Sequence, residues 1–462
     1  MRGSHGGGCR AGLKQMSMTR VLIVTMEPLT DRLTGQGVRA VALAQELRTD
    51  LRVTLAAPTV AAEVDFGVPV VTFSPDVPKT LAHWVAQADV VLISGFAAQR
   101  YRFLGQVSAR VVVDLIAPFM LETAFASGDA ALDERRAYGQ QAVAATNALA
   151  RIGDFFICGS ERQRDFWLGV LGANGRLGPD VLTEDAEARQ LIDVVSFGLP
   201  ELPNEPLGFE LGDLHPALAG DVKIVWWGGG IWDWLDPLTL LQAWPHVLAT
   251  YPQARLVWVK PGSSPNASVG RGRMAEAAVA LAEQMGVLDN SVVFLDWLTL
   301  EARAGLLQRA AAGVVLHPAH LETHFSVRTR VLDFIAAGLP MVITEGDVMS
   351  DRVRAFSLGE VVAPLDVAGV ARALTTVMAQ GRGIYADRFV SARVGLTGPE
   401  VVAPLRQYCL HGAYAADRVQ RQPVEATAAQ GLLLYRTRQV WRQGGLAAVV
   451  KRVVGYVRRR LG

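Results

Sequence analysis

The order of apolar runs predicts an α/β protein made of two doubly wound, Rossmann-like domains in tandem, facing one another. Two observations carry this. Short apolar runs of buried-strand length recur along the chain with helical stretches between several of them, the pattern of parallel strands covered on both faces. A break rich in turn formers (Pro200, Pro203, Asn204 and Pro206) then separates one such series from a second. With 462 residues, half of them hydrophobic, each half has chain enough for its own core. No repeat between the halves is detectable.

Residues 1–17 hold Gly6-Gly7-Gly8 and no sustained apolar segment, so they are read as a leader outside the fold. The first domain, 18–200, opens with a strand at Arg20–Met26, a loop through Gly35-Gln36-Gly37 and a helix at Val38–Arg48. Strands follow at Leu51–Ala57, Val68–Phe73, Asp89–Ser94, Arg110–Ile116 and Asp154–Gly159, with a long helical region over Ala130–Ala150. Ser160 is placed as the N-cap of the next helix. Val194–Leu199 and the prolines after it are read as the interdomain linker. The second domain, 201–395, has expected strands at Lys223–Trp227, Ala254–Lys260, Ser291–Leu295, Gly313–Leu316, Met341–Thr344 and Gly359–Val362. Helices fit between them at Pro237–Thr250, Arg273–Met285, Leu300–Ala311 and Val327–Ala337. Residues 396–426 are read as a returning helical region and 427–462 as a basic tail.

A net charge of +1 argues against nucleic-acid binding through bulk charge. Cys9, Cys158 and Cys409 are too few and too scattered for a disulfide framework or a zinc site, which suits a reducing, cytosolic setting. No apolar run reaches membrane-spanning length.

The most informative stretch runs from Glu322 through His324, Phe325, Ser326, Arg328, Arg330 and Asp333 to Gly338-Leu339-Pro340 and the strand ending at Thr344. Phe325, Val331, Leu332, Ile335 and Ala336 share a helical face, Gly338 is a natural C-cap, and Pro340 stops the helix. The free N–H groups at the start of that helix, with Arg328 and Arg330 beside them, suit a phosphate. At spacing i, i+2 the two arginines cannot share one helix face, so at most one is a phosphate ligand if the segment is regular. Upstream, Gly228, Gly229 and Gly230 follow a strand and lead to Trp232, where backbone can approach a ligand closely; a tight turn with tryptophans in the core is the alternative. Lys260 ends a strand, on the side where ligands of open parallel sheets sit. It either neutralises a leaving diphosphate or is a solvated loop lysine. Arg39 after the Gly35/Gly37 pair reads as the cap of a surface turn, and Asp114 at a strand end either orients a substrate hydroxyl or forms an Asx turn.

Asp333-x4-Gly338-Leu-Pro-x-Val resembles the donor-site segment of family 4 glycosyltransferases, a bacterial surface-polysaccharide branch of which is similar in its His-Pro…Glu-Thr…Phe-Ser…Arg-Thr-Arg-x-Leu-Asp pattern. The resemblance covers about 18–418 and implies the GT-B fold, the nucleotide-sugar donor bound by the second domain and the acceptor by the first. It implies that Asp333 grips the nucleotide ribose, Glu322 contacts the donor sugar, and the glycine loop closes over the donor phosphates, with Lys260 and an arginine assisting. By the same likeness Gly35 and Gly37 lie near the transferred sugar and Asp114 near the acceptor pocket. The family pattern has two glutamates separated by seven residues; here Glu322 precedes Asp333 by eleven positions, and the second acid is Asp. The family implies a retaining hexosyltransferase with no catalytic metal and no cofactor. Its acceptor would be a glycan or lipid-linked sugar. His317, His320 and His324 have helical metal-ligand spacing, but Pro318 argues against a helix there.

The tail from Thr427 carries eight basic residues and no acid, with Leu446, Val450, Val453, Val457 and Leu461 near one helical face. That suits an anionic membrane surface, placing the protein in the cytoplasm and peripherally on the inner face of the plasma membrane. Two other readings stay open: a sugar-nucleotide epimerase of the same fold, and a non-catalytic partner subunit.

Overall fold

A computed structural model describes residues 18–95, 97–126, 131–202, 210–264 and 272–418. The leader and the basic tail therefore lie outside the described residues, as does most of the proline-rich linker.

The first sheet contains β1 (Arg20–Val24), β2 (Arg52–Ala57), β3 (Val70–Thr72), β4 (Val90–Ser94), β5 (Arg110–Asp114), β6 (Phe155–Cys158) and β7 (Ile192–Val194), in spatial order 3-2-1-4-5-6-7. The second contains β8 (Lys223–Trp226), β9 (Ala254–Val259), β10 (Val292–Leu295), β11 (Ala312–Val315), β12 (Met341–Thr344) and β13 (Gly359–Val362), in order 10-9-8-11-12-13. Every pairing is parallel. The strands are apolar on both faces because helices cover both, and each sheet separates two buried clusters. The fold is thus α/β with two doubly wound sheets, as expected.

Strand order reverses between β1 and β4 and again between β8 and β11. Helices diverge to opposite faces there and leave a crevice at the strands' carboxyl ends. The first crevice is flanked by the start of the helix Gly35–Leu47, which includes the Gly35/Gly37 pair expected in a loop, and the second by the loop of glycines 228–230.

Local signals fix many boundaries. Asp236 accepts from Thr239 N at 3.1 Å and starts the helix Pro237–Thr250, while Gly338 ends the helix Arg330–Ala337 in the left-handed region at φ 60°. Ser160 Oγ accepts from Gln163 N at 3.2 Å and caps the helix Glu161–Ala173. Ser160→Ala is expected to cost about 1 kcal/mol in chemical denaturation.

Two expectations change. The strand before the linker, Ile192–Val194, is β7 of the first sheet, so the linker begins after it. The helix expected over Val327–Ala337 begins only at Arg330, after a separate five-residue helix, Leu321–Phe325. Between them Ser326 is extended, and Ser326 and Arg328 fold back to reach the buried Glu322. Satisfying that buried carboxylate outweighs one more turn of helix.

Past the second domain, the helix Gly398–His411 returns to the first. Its Val401, Val402, Leu405, Tyr408 and Cys409 join a cluster under the first sheet. Arg110 donates to the carbonyls of Tyr408 (3.0 Å), Cys409 (2.9 Å) and Gly412 (2.5 Å), fastening the helix end.

Candidate donor site between two parallel sheets

The crevice of the second sheet is built first by the glycine loop. Gly228 and Gly229 have φ of 80° and 123°, a backbone that side chains rarely adopt. A Cβ on Gly228 would also lie 3.1 Å from the Phe334 ring. Arg330, at the first turn of its helix, donates to the carbonyls of Trp227 (3.2 Å) and Gly230 (3.0 Å), so the loop is tied to the helix beside it. Its guanidinium also lies 5.6 Å from the Trp227 ring centroid. Burial, with the charge of Arg328 second, pushes Arg330 down to about 9.

The tryptophans divide between the two readings of this segment. Trp226 and Trp227 are buried core on opposite faces of the sheet. Trp232 is half-buried and stacks on Trp234, with centroids 5.6 Å apart and planes within 6°. Trp297, after β10, lies against Gly230 and donates through Nε1 to Leu33 O of the first domain at 3.2 Å. It had no sequence signal beyond its place after a strand.

Asp333 lies one turn into the helix that Arg330 begins, buried, and pairs through Oδ2 with Arg303 of the helix Leu300–Arg309. Oδ1 has no hydrogen-bond partner among the described residues. Lys260 Nζ is exposed, 3.9 Å from Asp296 Oδ1. The site therefore gathers Gly228–Gly230, Arg330 and Asp333 closely, with Lys260 at the ends of the adjacent strands.

Glu322, Ser326 and Arg328 form a second group. Glu322 is fully buried and accepts both prongs of Arg328, at 2.8 and 2.6 Å, together with the Ser326 hydroxyl. Arg328 Nε lies 3.7 Å from the buried Asp347, which in turn lies 3.4 Å from His317 Nε2. The two arginines of Arg-Thr-Arg thus point to different partners, because the segment is irregular there. His320 Nδ1 accepts from Thr323 N at 3.1 Å as the N-cap of the helix Leu321–Phe325. His324 is exposed and meets Phe325 edge-on. No group of three or more His, Cys, Asp or Glu among the described residues converges to hold a metal ion.

The first domain meets this group from the other side. Phe166 packs on Phe325 at 4.9 Å, and Phe125 stacks on His320 at 4.1 Å. Arg162 donates to Gly346 O at 3.1 Å and pairs with Asp351. On the acceptor side, Glu27 after β1 accepts from Gly37 N at 3.0 Å and from the Thr34 hydroxyl, anchoring the helix Gly35–Leu47; Gly35 is exposed. Arg39, read from sequence as a surface cap, is buried. It donates to Asp114 at 2.5 and 3.1 Å, and to the carbonyls of Val195 (2.8 Å) and Ser196 (3.0 Å). A long-range partner invisible in sequence explains the correction. Asp114 Oδ1 also accepts from Ile116 N at 3.2 Å, an Asx turn.

Residues 222–380 match the model of the family described as Glycosyl transferases group 1. Solved structures share the whole architecture. The Anabaena Alr3699/HepE protein in complex with UDP and glucose is 13% identical, covers 84% of this chain and 98% of its own, and superposes with a TM-score of 0.58. The α,α-trehalose 6-phosphate synthase of Burkholderia multivorans is 15% identical, over 86% of this chain and 100% of its own, with a TM-score of 0.57. WaaG, a glycosyltransferase involved in lipopolysaccharide biosynthesis, is 13% identical over 85% and 100%, with a TM-score of 0.54. No curated protein matches the sequence. The second domain thus resembles the group 1 glycosyl transferases over residues 222–380, and the chain as a whole has the GT-B fold.

Proposed function

We propose that the protein transfers a hexosyl group, with retention, from a nucleotide-sugar to a glycan or lipid-linked acceptor in surface polysaccharide assembly. The observation that carries the donor assignment is the glycine loop with two positive-φ residues, tied by Arg330 beside the buried Asp333. In this reading Asp333 accepts from the ribose hydroxyls through Oδ1, and Arg303 holds that carboxylate in place. The diphosphate lies over Gly228–Gly230 near the start of the helix Arg330–Ala337, where N–H groups and the helix dipole favour negative charge. Lys260 adds charge at the mouth as the diphosphate leaves. Glu322, with both oxygens engaged, works by holding Arg328, and His324, Phe325 and Ser326 shape the wall next to it. The acceptor approaches from the side of Gly35, Gly37 and Asp114. The polysaccharide reading draws on WaaG, and the basic tail would hold the enzyme at an anionic inner membrane surface.

Thermal stabilisation by a panel of nucleotide diphosphates and nucleotide-sugars tests the donor site. UDP comes first, since HepE was captured with UDP and glucose. At a ligand concentration about a hundred times Kd, binding stabilises by about 2.7 kcal/mol, and Asp333→Ala is expected to abolish that gain. A wild-type protein that no member of the panel stabilises would sink the reading. Retention is read separately, from the anomeric configuration of the product by NMR.

A further inference from the structure

Trp297 touches both halves of the molecule. It stands on the short connection between β10 and the helix Leu300–Arg309, whose N-cap Thr299 accepts from Ala302 N at 3.2 Å. That connection is fixed at one end by the sheet and at the other by the cap. The indole is half-buried and packs against the cluster that holds Leu306 and Leu307. Its ring meets the glycine loop. A Cβ on Gly230 would lie 3.5 Å from Trp297 Cζ3 and 3.8 Å from the Trp232 ring, so Gly230 is walled by two indoles. Arg330 grips the carbonyl of the same residue at 3.0 Å.

The indole nitrogen belongs to the other side of the cleft, donating to Leu33 O of the first domain at 3.2 Å. Leu33 is buried, and its side chain lies 3.3 Å from where a Cβ on Gly37 would be. It precedes Thr34, the N-cap of the helix Gly35–Leu47. Glu27 holds that same helix start through Gly37 N, at 3.0 Å, and the Thr34 hydroxyl. The other domain contacts fall elsewhere. Phe125, Phe166 and Arg162 meet the helices Leu321–Phe325 and Val348–Phe356 or the cap His320, not the glycine loop. Resting on the donor site proposed above, we infer that Trp297 is a positioning residue coupling donor to acceptor side. Order that a nucleotide imposes on the glycine loop passes through the indole to Leu33–Gly37.

Gly228 and Gly229, both at positive φ, give the loop backbone freedom to lose. A nucleotide lying over it removes that freedom, and Gly230 then offers the Trp297 ring a fixed surface. A fixed ring keeps its N–H on Leu33 O, and the start of the helix Gly35–Leu47 is ordered in turn. No movement of one domain against the other is required, because ordering alone can couple two sites. The coupling is reciprocal: whatever orders Leu33–Gly37 tightens the nucleotide by the same factor. A sugar acceptor therefore meets an ordered surface when the donor is already in place.

Hydrogen–deuterium exchange of the full-length protein, with and without the nucleotide panel (UDP first), reads this directly. In the wild type, peptides over residues 228–236 and 28–38 are both expected to exchange more slowly with nucleotide bound. The slowing over 28–38 is about threefold to tenfold, the worth of one hydrogen bond. Trp297→Phe keeps a ring beside Gly230 but lacks the N–H. Its protection over 228–236 persists, which also reports an intact site, while that over 28–38 is lost. Three outcomes would overturn the coupling and leave the donor site standing. They are a wild type protected over 228–236 alone, a Trp297→Phe protein still protected over 28–38, and one that has lost both, which would make the indole a nucleotide contact. A wild type in which no nucleotide protects 228–236 would remove the donor site and the coupling with it.

Discussion

Arg328→Met will lower the free energy of unfolding by about 3–5 kcal/mol, because it strands a fully buried carboxylate. Among the described residues Glu322 accepts hydrogen bonds from both prongs of Arg328 and from the Ser326 hydroxyl, with His320 Nδ1 3.7 Å from Oε2. Asp347 would lose the guanidinium that lies 3.7 Å from its Oδ2. Urea denaturation followed by tryptophan fluorescence measures the loss. The companion variant is Glu322→Gln with Arg328→Met, which removes both charges and recovers most of the deficit, since breaking a buried pair costs far more than replacing it. A single variant within 1 kcal/mol of wild type would show that water reaches Glu322.

Arg330→Leu is expected to weaken nucleotide binding tenfold to a hundredfold. Hydrogen bonds from a charged donor contribute about 1.5–3 kcal/mol each, and Arg330 makes two to the carbonyls of the glycine loop. Without them two positive-φ glycines must be ordered by the ligand itself, at the ligand's expense. Arg330→Lys keeps the charge but lacks the planar fork that spans Trp227 O and Gly230 O, so it recovers only part of the affinity. Titration of the nucleotide by thermal shift separates these cases. Unchanged affinity in Arg330→Leu would mean that the loop is rigid without its anchor.

The architecture was legible because its determinants are local. The strands Met341–Thr344 and Gly359–Val362 and the helix Pro237–Thr250 have the bounds read from their apolar runs and caps, and Gly338 caps where a left-handed residue was needed. The break between Phe325 and Arg330 was not legible, since it depends on where a buried carboxylate finds its counterion. The Arg39–Asp114 pair has no local signal, since its partners stand 75 residues apart in the chain. Arg303 gave no signal at all: it acquires meaning from a partner on another element, Asp333.

The returning helix Gly398–His411 has a consequence for how the protein is made. The first domain is encoded first, yet part of its core and the carbonyls that Arg110 grips come from the far side of the second. A nascent chain that has just completed β7 therefore exposes an unfinished apolar face while the whole second domain is still to be synthesised. The first-made half is the last to be finished, and a truncation before residue 398 should leave it the more aggregation-prone of the two.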